Sequence, residues 1–256
     1  MKYIDCIKSI LQKDTFMELK NMIYKRKSFR DYSQNQLSPQ TLLKIENFIE
    51  NARPLFPCAR FSWEIVDGER VKNIQPWRAP HNIVMFADTS TESLMNIGFI
   101  FQQAELYIQS LGLGSCWLGM GKLDAADSEN ADGQKQVMML AFGETENDDF
   151  RKSKAEFKRR ALGEIADTED SRLECARLAP SAVNSQPWYF VHEGETIHAY
   201  CVEKYLRKIM LGNMNKIDMG IALAHIYMEN KETFEFFKTE KYPAVKGYYY
   251  TGSFKI

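Results

Sequence analysis

The chain has 256 residues, 45% of them hydrophobic and 26% charged, with a formal net charge of −1. That is enough apolar material for a well-buried core in one or two domains. The balanced, scattered charge excludes a basic nucleic-acid face, and no apolar run approaches the length needed to cross a bilayer.

Residues 1–14 alternate Lys, Asp and apolar side chains and have neither the apolar core nor the cleavage site of a secretory signal. Five cysteines (Cys6, Cys58, Cys116, Cys175, Cys201), an odd number without CxxC spacing, suggest free thiols in a reducing cytoplasm. The four histidines form no HxxxH or HExxH pattern, so no metal site is expected.

In chain order, a helix is expected over Phe16 to Lys27, followed by a polar turn through Asp31 to Pro39. Ser38-Pro39 reads as an N-cap with proline at the first helical position, opening a helix through Glu50. Phe61 to Val66 alternates as a strand turned by Asp67-Gly68, and Ile83 to Ala87 is a buried strand. Ser93 to Leu111 carries apolar residues at helical spacing and ends at Gly112, a residue suited to a left-handed cap. Val137 to Phe142 is an apolar strand, and the charged run Asn147 to Arg160 reads as loop. Ala179 to Phe190 reads as a helix end, a tight polar turn and an apolar strand. Tyr248-Tyr249-Tyr250 reads as a further strand.

The pattern starts twice. Glu50-Asn51-Ala52-Arg53 is matched by Glu174-Cys175-Ala176-Arg177, and Phe61 to Val66 by Gln186 to Val191. Asn96-Ile97-Gly98-Phe99 is matched by Asp218-Met219-Gly220-Ile221. The offset is 125 at the tryptophans (188 minus 63) and 122 at the glycines (220 minus 98). Similar order and spacing over three elements predict an internal duplication.

Four motifs carry the chemistry. Lys25-Arg26-Lys27-Ser28-Phe29-Arg30 offers guanidinium forks, point charges and a hydroxyl to an anion, or else is a solvated charge run at a helix end. Leu111 to Met120 contains glycines that let backbone approach a flat ligand, or that simply cap a helix before a buried strand. Within it Cys116 has no evident basic partner and reads as a structural thiol. Lys158-Arg159-Arg160 is a basic loop. Pro180-Ser181-Ala182-Val183-Asn184-Ser185-Gln186-Pro187-Trp188 places short polar groups between two prolines.

Together these motifs resemble the nitroreductase family of flavoproteins. The first is similar to its RRSxR signature, the second to GLGTCWxGG, the third to a KxR pair and the fourth to PSxxNxQPW, here unusually late in the chain. The resemblance implies an α+β, nitroreductase-like fold with mixed, mostly antiparallel sheets flanked by helices. It implies FMN held by Arg26, Lys27, Ser28, Arg30, Leu118, Gly119, Lys158, Arg160, Pro180, Ser181, Ala182 and Asn184. Arg30 would lie near the flavin pyrimidine edge, and a backbone N–H near Leu118 or Gly119 would meet the flavin N5. Electrons would pass from NAD(P)H to a nitroaromatic, quinone or similar small acceptor; the alternative is a flavin-binding protein with little or no turnover. No catalytic residue beyond the flavin contacts is expected.

Family members are twofold dimers that share each flavin site. Here the first-half counterpart of the late turn, Arg53 to Arg60, has lost its Ser and Asn, and the second half has no glycine motif after Met228. The expectation is a fused pseudo-dimer with one FMN, acting as a monomer, with a homodimer as the alternative. Its halves would be residues 17–150 and 151–256, with 1–16 an N-terminal extension. His225 reads as a core or interface residue, and Asp218 as a candidate helix cap.

Overall fold

The structure is a computed structural model that describes residues 16–147, 149–203 and 205–256, with the backbone alone over 205–211. The expected extension 1–16 lies outside the described residues except for Phe16, which opens the helical residues 16–23 (α1). The second helix, α2 (Pro39–Glu50), begins where the sequence places it. Ser38 Oγ accepts from the Thr41 N–H at 3.1 Å, and Pro39 sits in the first turn, where its missing N–H costs nothing.

The first sheet contains β1 (Phe61–Asp67), β2 (His81–Ala87), β3 (Gly114–Trp117) and β4 (Lys135–Gly143), in the order β1-β2-β4-β3. Every pairing is antiparallel. The long helix α3 (Thr91–Ser110) joins β2 to β3. Gly112, at φ +79°, stops it in the left-handed conformation that glycine adopts at least cost.

A short helix, α4 (Glu174–Arg177), leads through the 180–187 turn into β5 (Trp188–Glu193). Then come β6 (Thr196–Val202), the helix α5 (Tyr205–Glu229), β7 (Glu235–Phe237) and β8 (Tyr248–Lys255). The second sheet has the order β5-β6-β8-β7, the same as the first, again with antiparallel pairing. Its second and fourth strands carry a register shift at Ala199/Tyr200, and those of the first sheet carry one at Met85/Phe86.

α3 and α5 pack against each other at the centre. Sixteen of the 20 residues of α3 are buried, so the helix is enclosed on every side rather than along one stripe. The approach is very close. A Cβ on Gly98 would lie 1.9 Å from the Ile217 carbonyl oxygen, and one on Gly220 would lie 1.9 Å from that of Met95. Each glycine therefore rests on the carbonyl three residues before the other.

Apart from Asn215 Oδ1, which has no partner among the described residues, most polar groups buried along these helices are paired, and several pairings recur at one sequence spacing. Gln103 Nε2 donates to the Arg53 carbonyl at 2.9 Å, and His225 Nδ1 meets the Cys175 carbonyl at 2.9 Å. Both partners are 122 residues apart (225 minus 103, 175 minus 53). These bonds set Arg53 opposite Cys175, a shift of two from the sequence alignment of Arg53 with Arg177. Asn96 Oδ1 accepts from the Leu55 and Phe56 N–H groups at 2.8 and 3.1 Å. Asp218, at the corresponding place on α5, accepts from the Ala182 N–H at 3.1 and 3.2 Å.

Candidate functional site

The basic motif follows α1 and is strapped to the C-terminal part of α3. Gln109 accepts from the Lys27 N–H at 3.2 Å and donates to the Lys27 carbonyl at 2.8 Å. The Phe29 N–H donates to the Ser115 carbonyl at 2.9 Å, fixing the strap to β3. Arg26 is 1% exposed, and its Nε donates to Oε1 of the fully buried Glu105 at 2.9 Å. Its Nη2 reaches Ser28 Oγ at 3.4 Å. Lys27 Nζ lies 4.8 Å from the centre of the Phe29 ring, and Arg30 is exposed.

Glu105 belongs to a buried network. Gln102 Nε2 donates to Glu105 Oε2 at 2.8 Å and meets His225 Nε2 at 3.1 Å, while Trp117 Nε1 donates to Gln102 Oε1 at 3.0 Å. Because the Cys175 carbonyl can only accept, His225 carries its proton on Nδ1 and accepts at Nε2. Burial pushes its pKa down to about 3, so the ring is neutral. It is a bridge between α3 and α5, as the sequence suggests.

The 181–186 turn is held in an uncommon shape. Val183, Asn184 and Gln186 have φ of +48°, +56° and +46°, values costly for a β-branched residue such as Val183. The Gln186 N–H donates to Ser181 Oγ at 2.9 Å. Asn184 donates to the Lys158 carbonyl at 2.9 Å and accepts from Arg159 Nη1 at 2.8 Å. Arg160 reaches the carbonyls of Ser185 and Gln186 at 3.2 and 3.3 Å, and its N–H donates to Gln186 Oε1 at 2.8 Å. Arg159 Nε also donates to the Ala179 carbonyl at 3.0 Å. The basic loop and the turn are one assembly.

That assembly meets the first basic motif at Phe157. The Arg151 N–H donates to the Lys25 carbonyl at 2.9 Å, and its guanidinium bonds the Arg26 carbonyl. The Arg151 and Arg159 guanidiniums stand 4.2 and 5.8 Å from the Phe157 ring. Burial first, and then the nearby charges of Arg26, Arg151 and Arg177, bring the Arg159 pKa down to about 9. Arg26 and Arg177 have carboxylate partners in Glu105 and Glu174, at 2.9 and 2.6 Å, whereas Arg159 and Arg160 bond carbonyl and amide oxygens and pair with no carboxylate among the described residues.

Of the predicted site residues, the structure brings Arg26, Lys27 and Ser28 on the strap toward Lys158, Arg160, Ser181, Ala182 and Asn184 through Arg151, Phe157 and Arg159. Pro180 is buried at the start of the turn. No hydrogen bond or ring contact among the described residues ties Arg30, Leu118 or Gly119 to that assembly. A Cβ on Gly119 would lie 3.0 Å from Met214 Cε, one helical turn before Asp218. The Leu118 N–H is bonded to the Met139 carbonyl at 2.9 Å, so it is not free to meet a ring nitrogen. The Ala182 N–H is likewise spent on Asp218. Cys116 does have basic neighbours, Arg30 and Arg26, contrary to the sequence reading, yet burial outweighs them and pushes its thiol up.

The sequence reading missed Glu105 and Arg159 as site residues, and saw in Asp218 only a helix cap. Arg159 lies inside the noted basic run but between the two positions of the KxR pattern. Asp218 is a lone acid in an apolar stretch of helix, which is itself a signal of a buried partner. Among the described residues, no group of three or more His, Cys, Asp or Glu could hold a metal ion. No helix described is long and apolar enough to cross a membrane. A cleft of about 870 Å³ lies instead beside the first-half turn, lined by Pro54, Pro57, Trp63 and Asn96.

Comparison with known proteins places this architecture. The family model described as "Putative TM nitroreductase" matches residues 18–230. The chain belongs to that nitroreductase family. Among solved structures, a "putative nitroreductase" from Thermotoga maritima aligns at 21% identity over 93% of this chain and 92% of its own, with a TM-score of 0.62. A "putative nitroreductase in complex with FMN" from Exiguobacterium sibiricum aligns at 15% identity over 60% of this chain and 96% of its own, with a TM-score of 0.46. A nitroreductase family protein from Clostridium difficile aligns at 18% identity over 57% and 95%, also at 0.46. No curated protein matches the chain.

Proposed function

We propose that this chain is an FMN-dependent oxidoreductase in which one polypeptide, folded as a fused pseudo-dimer of residues 17–150 and 151–256, holds one FMN. The observation that carries the proposal is the convergence of the 25–30 strap, the 158–160 loop and the left-handed 181–186 turn around excess guanidinium charge. A phosphate monoester is the anion such a donor set suits, since guanidiniums bind it through paired N–H groups. Bound FMN would supply a two-electron carrier between NAD(P)H and a small aromatic acceptor, such as a nitroaromatic or a quinone.

The chain's own residues do the holding. Lys27, Ser28, Lys158 and Arg159 take the phosphate, while Arg26 neutralises Glu105 beneath it. Arg30 sets a positive charge where the ring gathers negative charge. Gly119 lets the backbone approach the flat ring, and Ser181 and Asn184 present the turn that frames it.

Single occupancy is supported by the first-half turn, Arg53 to Arg60, which lacks the Ser and Asn of its counterpart and whose Phe56 ring is taken up in contacts of its own. Phe236 packs edge-on against Phe56 at 5.3 Å between ring centres. Lys238 Nζ stands 5.7 Å from the centre of the Phe56 ring and 3.7 Å from Glu92 Oε1. The pseudo-dimer itself is supported by the shared strand order and by the paired glycines of α3 and α5. One chain then supplies the twofold surface that usually takes two, so the protein acts as a monomer.

An absorption spectrum of the purified protein, with the extracted cofactor identified by mass and counted by native mass spectrometry, tests this. One FMN per chain, bleached by NADPH or NADH without oxygen and recoloured by menadione, is the expected result. A colourless protein that ignores added FMN, or two FMN per chain, refutes it. Bound FMN that neither nucleotide bleaches refutes the electron-donor step.

A further inference from the structure

Asp218 lies directly beneath the 181–186 turn, on the buried side of α5. It is 3% exposed, both carboxyl oxygens are within 3.2 Å of the Ala182 nitrogen, and Oδ2 is 3.5 Å from Ser185 Oγ. Val183 and Asn184, the first two of the turn's three left-handed residues, follow Ala182 immediately, so this contact fixes where the strained segment begins. Asn96 holds the first-half turn in the same way, with Oδ1 accepting from Leu55 and Phe56 and Nδ2 donating to the Phe56 carbonyl at 3.2 Å. The two anchors differ in one respect. The amide cannot ionise and the acid can.

We infer that Asp218 is a positioning residue whose proton keeps the 181–186 turn in its cofactor-holding shape. As the neutral acid it still supplies what Asn96 supplies, an oxygen that accepts from the turn's N–H, with the Ser185 hydroxyl donating to Oδ2 at 3.5 Å. Without the proton it is a buried anion, and little around it compensates. The turn offers an N–H and a hydroxyl but no cation. From β6 the nearest ionisable group is the Cys201 thiol, which burial pushes up to about 12 and so keeps neutral. On β8 the Tyr249 phenol, bonded to that thiol, is also raised by burial. On α5 itself Lys216 directs its Nζ to the Thr89 carbonyl at 3.0 Å. Burial moves the Asp218 pKa up to about 8.

The relief open to the ionised group is water, and the way in is through the turn. Alkaline pH therefore loosens Ser181 to Gln186 and, on the reading that this turn frames FMN, weakens flavin binding. The direction follows from linkage, because the closed turn keeps a proton that the opened turn releases.

The test uses the full chain and its Asp218→Asn variant, which copies the first-half anchor. Amide resonances are followed without FMN from about pH 6 to about pH 9.5, and FMN affinity is then measured on the same samples. In the wild type the Ala182 amide should titrate with a midpoint near the Asp218 value, and affinity should fall about tenfold across the upper part of the range. In the variant both should be flat. A wild-type Ala182 amide that does not titrate overturns the inference even if the variant fails to fold, and so does an equal fall in affinity in both proteins. If the amide titrates only in the wild type while FMN binds to neither, the anchor stands and the cofactor reading falls.

Discussion

Gly98 of α3 rests on the backbone carbonyl of Ile217 in α5, closer than any side chain would permit. The contact obstructs a methyl group with backbone, which cannot rotate aside. Gly98→Ala must push the helices apart and disturb the whole central interface. Alanine favours a helix by roughly 1 kcal/mol over glycine, but overpacking of this kind costs about 1–3 kcal/mol or more. Thermal melting should show a loss of several degrees, at about 2–4 °C per kcal/mol for a chain of this size. Gly220→Ala should behave alike, and wild-type melting of either variant would mean the helices are less tightly apposed.

The Arg26–Glu105 pair is buried on both sides, so removing one partner strands a charge. Arg26→Met or Glu105→Leu alone should each cost about 3–5 kcal/mol in urea unfolding. The double variant should be less harmful than the sum, because no unpaired charge is left behind. Strict additivity would show that the two groups do not depend on each other.

His225 couples the central interface to pH. Its folded pKa is depressed to about 3 from an unfolded value near 6.5, so the unfolded chain takes up the proton first. The ring's contribution to stability is whole above about pH 6.5 and is lost as pH falls toward 3, at up to about 1.4 kcal/mol per pH unit. His225→Gln, which copies Gln103 of the first half, should remove that slope. Comparing the two proteins by urea unfolding between about pH 4 and pH 7 isolates this group from the opposite trend of Asp218.

Arg159 braces the turn and also supplies charge to the proposed phosphate site. Arg159→Met should weaken FMN binding by at least about tenfold, the scale of one charge-assisted contact. Arg172→Met is the control, since Arg172 pairs with Asp170 at 2.6 Å and has no hydrogen bond to the 158–160 loop or the 181–186 turn among the described residues. Fluorescence titration with FMN should separate the two variants, and equal affinities would remove Arg159 from the site.

Val183 is 83% exposed and left-handed, so the fold gains little from it. Val183→Gly should relieve up to about 1 kcal/mol of backbone strain while loosening the turn. Stability should be unchanged or slightly higher and FMN affinity lower. A variant that loses stability instead would show that the valine has a packing role.

Much of this molecule is legible in its sequence where the cause is local. Ser38-Pro39 opens α2, Gly112 closes α3, and the paired prolines bracket the turn before β5. β6 and β7 escape the reading because Thr196 to Val202 carries a polar His198 within the strand and Glu235–Phe237 is only three residues long. The site was legible as motifs and less so as contacts. Nothing near Arg26 says that its counter-charge is Glu105, 79 residues away. Nothing near Ala182 says that its N–H belongs to Asp218. Those pairings depend on how α3 and α5 cross, and a repeat offset that falls from 125 at the tryptophans to 122 at the glycines hides the crossing from alignment by eye.

The Trp117 indole leaves the short edge strand β3 to donate to Gln102, whose own amide meets His225 on the opposite helix. That makes a single N–H an observer of the junction. Of the four tryptophans, Trp77 and Trp188 have indole nitrogens without a partner among the described residues, so their resonances report their own surroundings. The Trp117 resonance reports whether the two long helices are in register. One cross-peak in a two-dimensional spectrum can then follow their docking through refolding or mutation without any label beyond nitrogen.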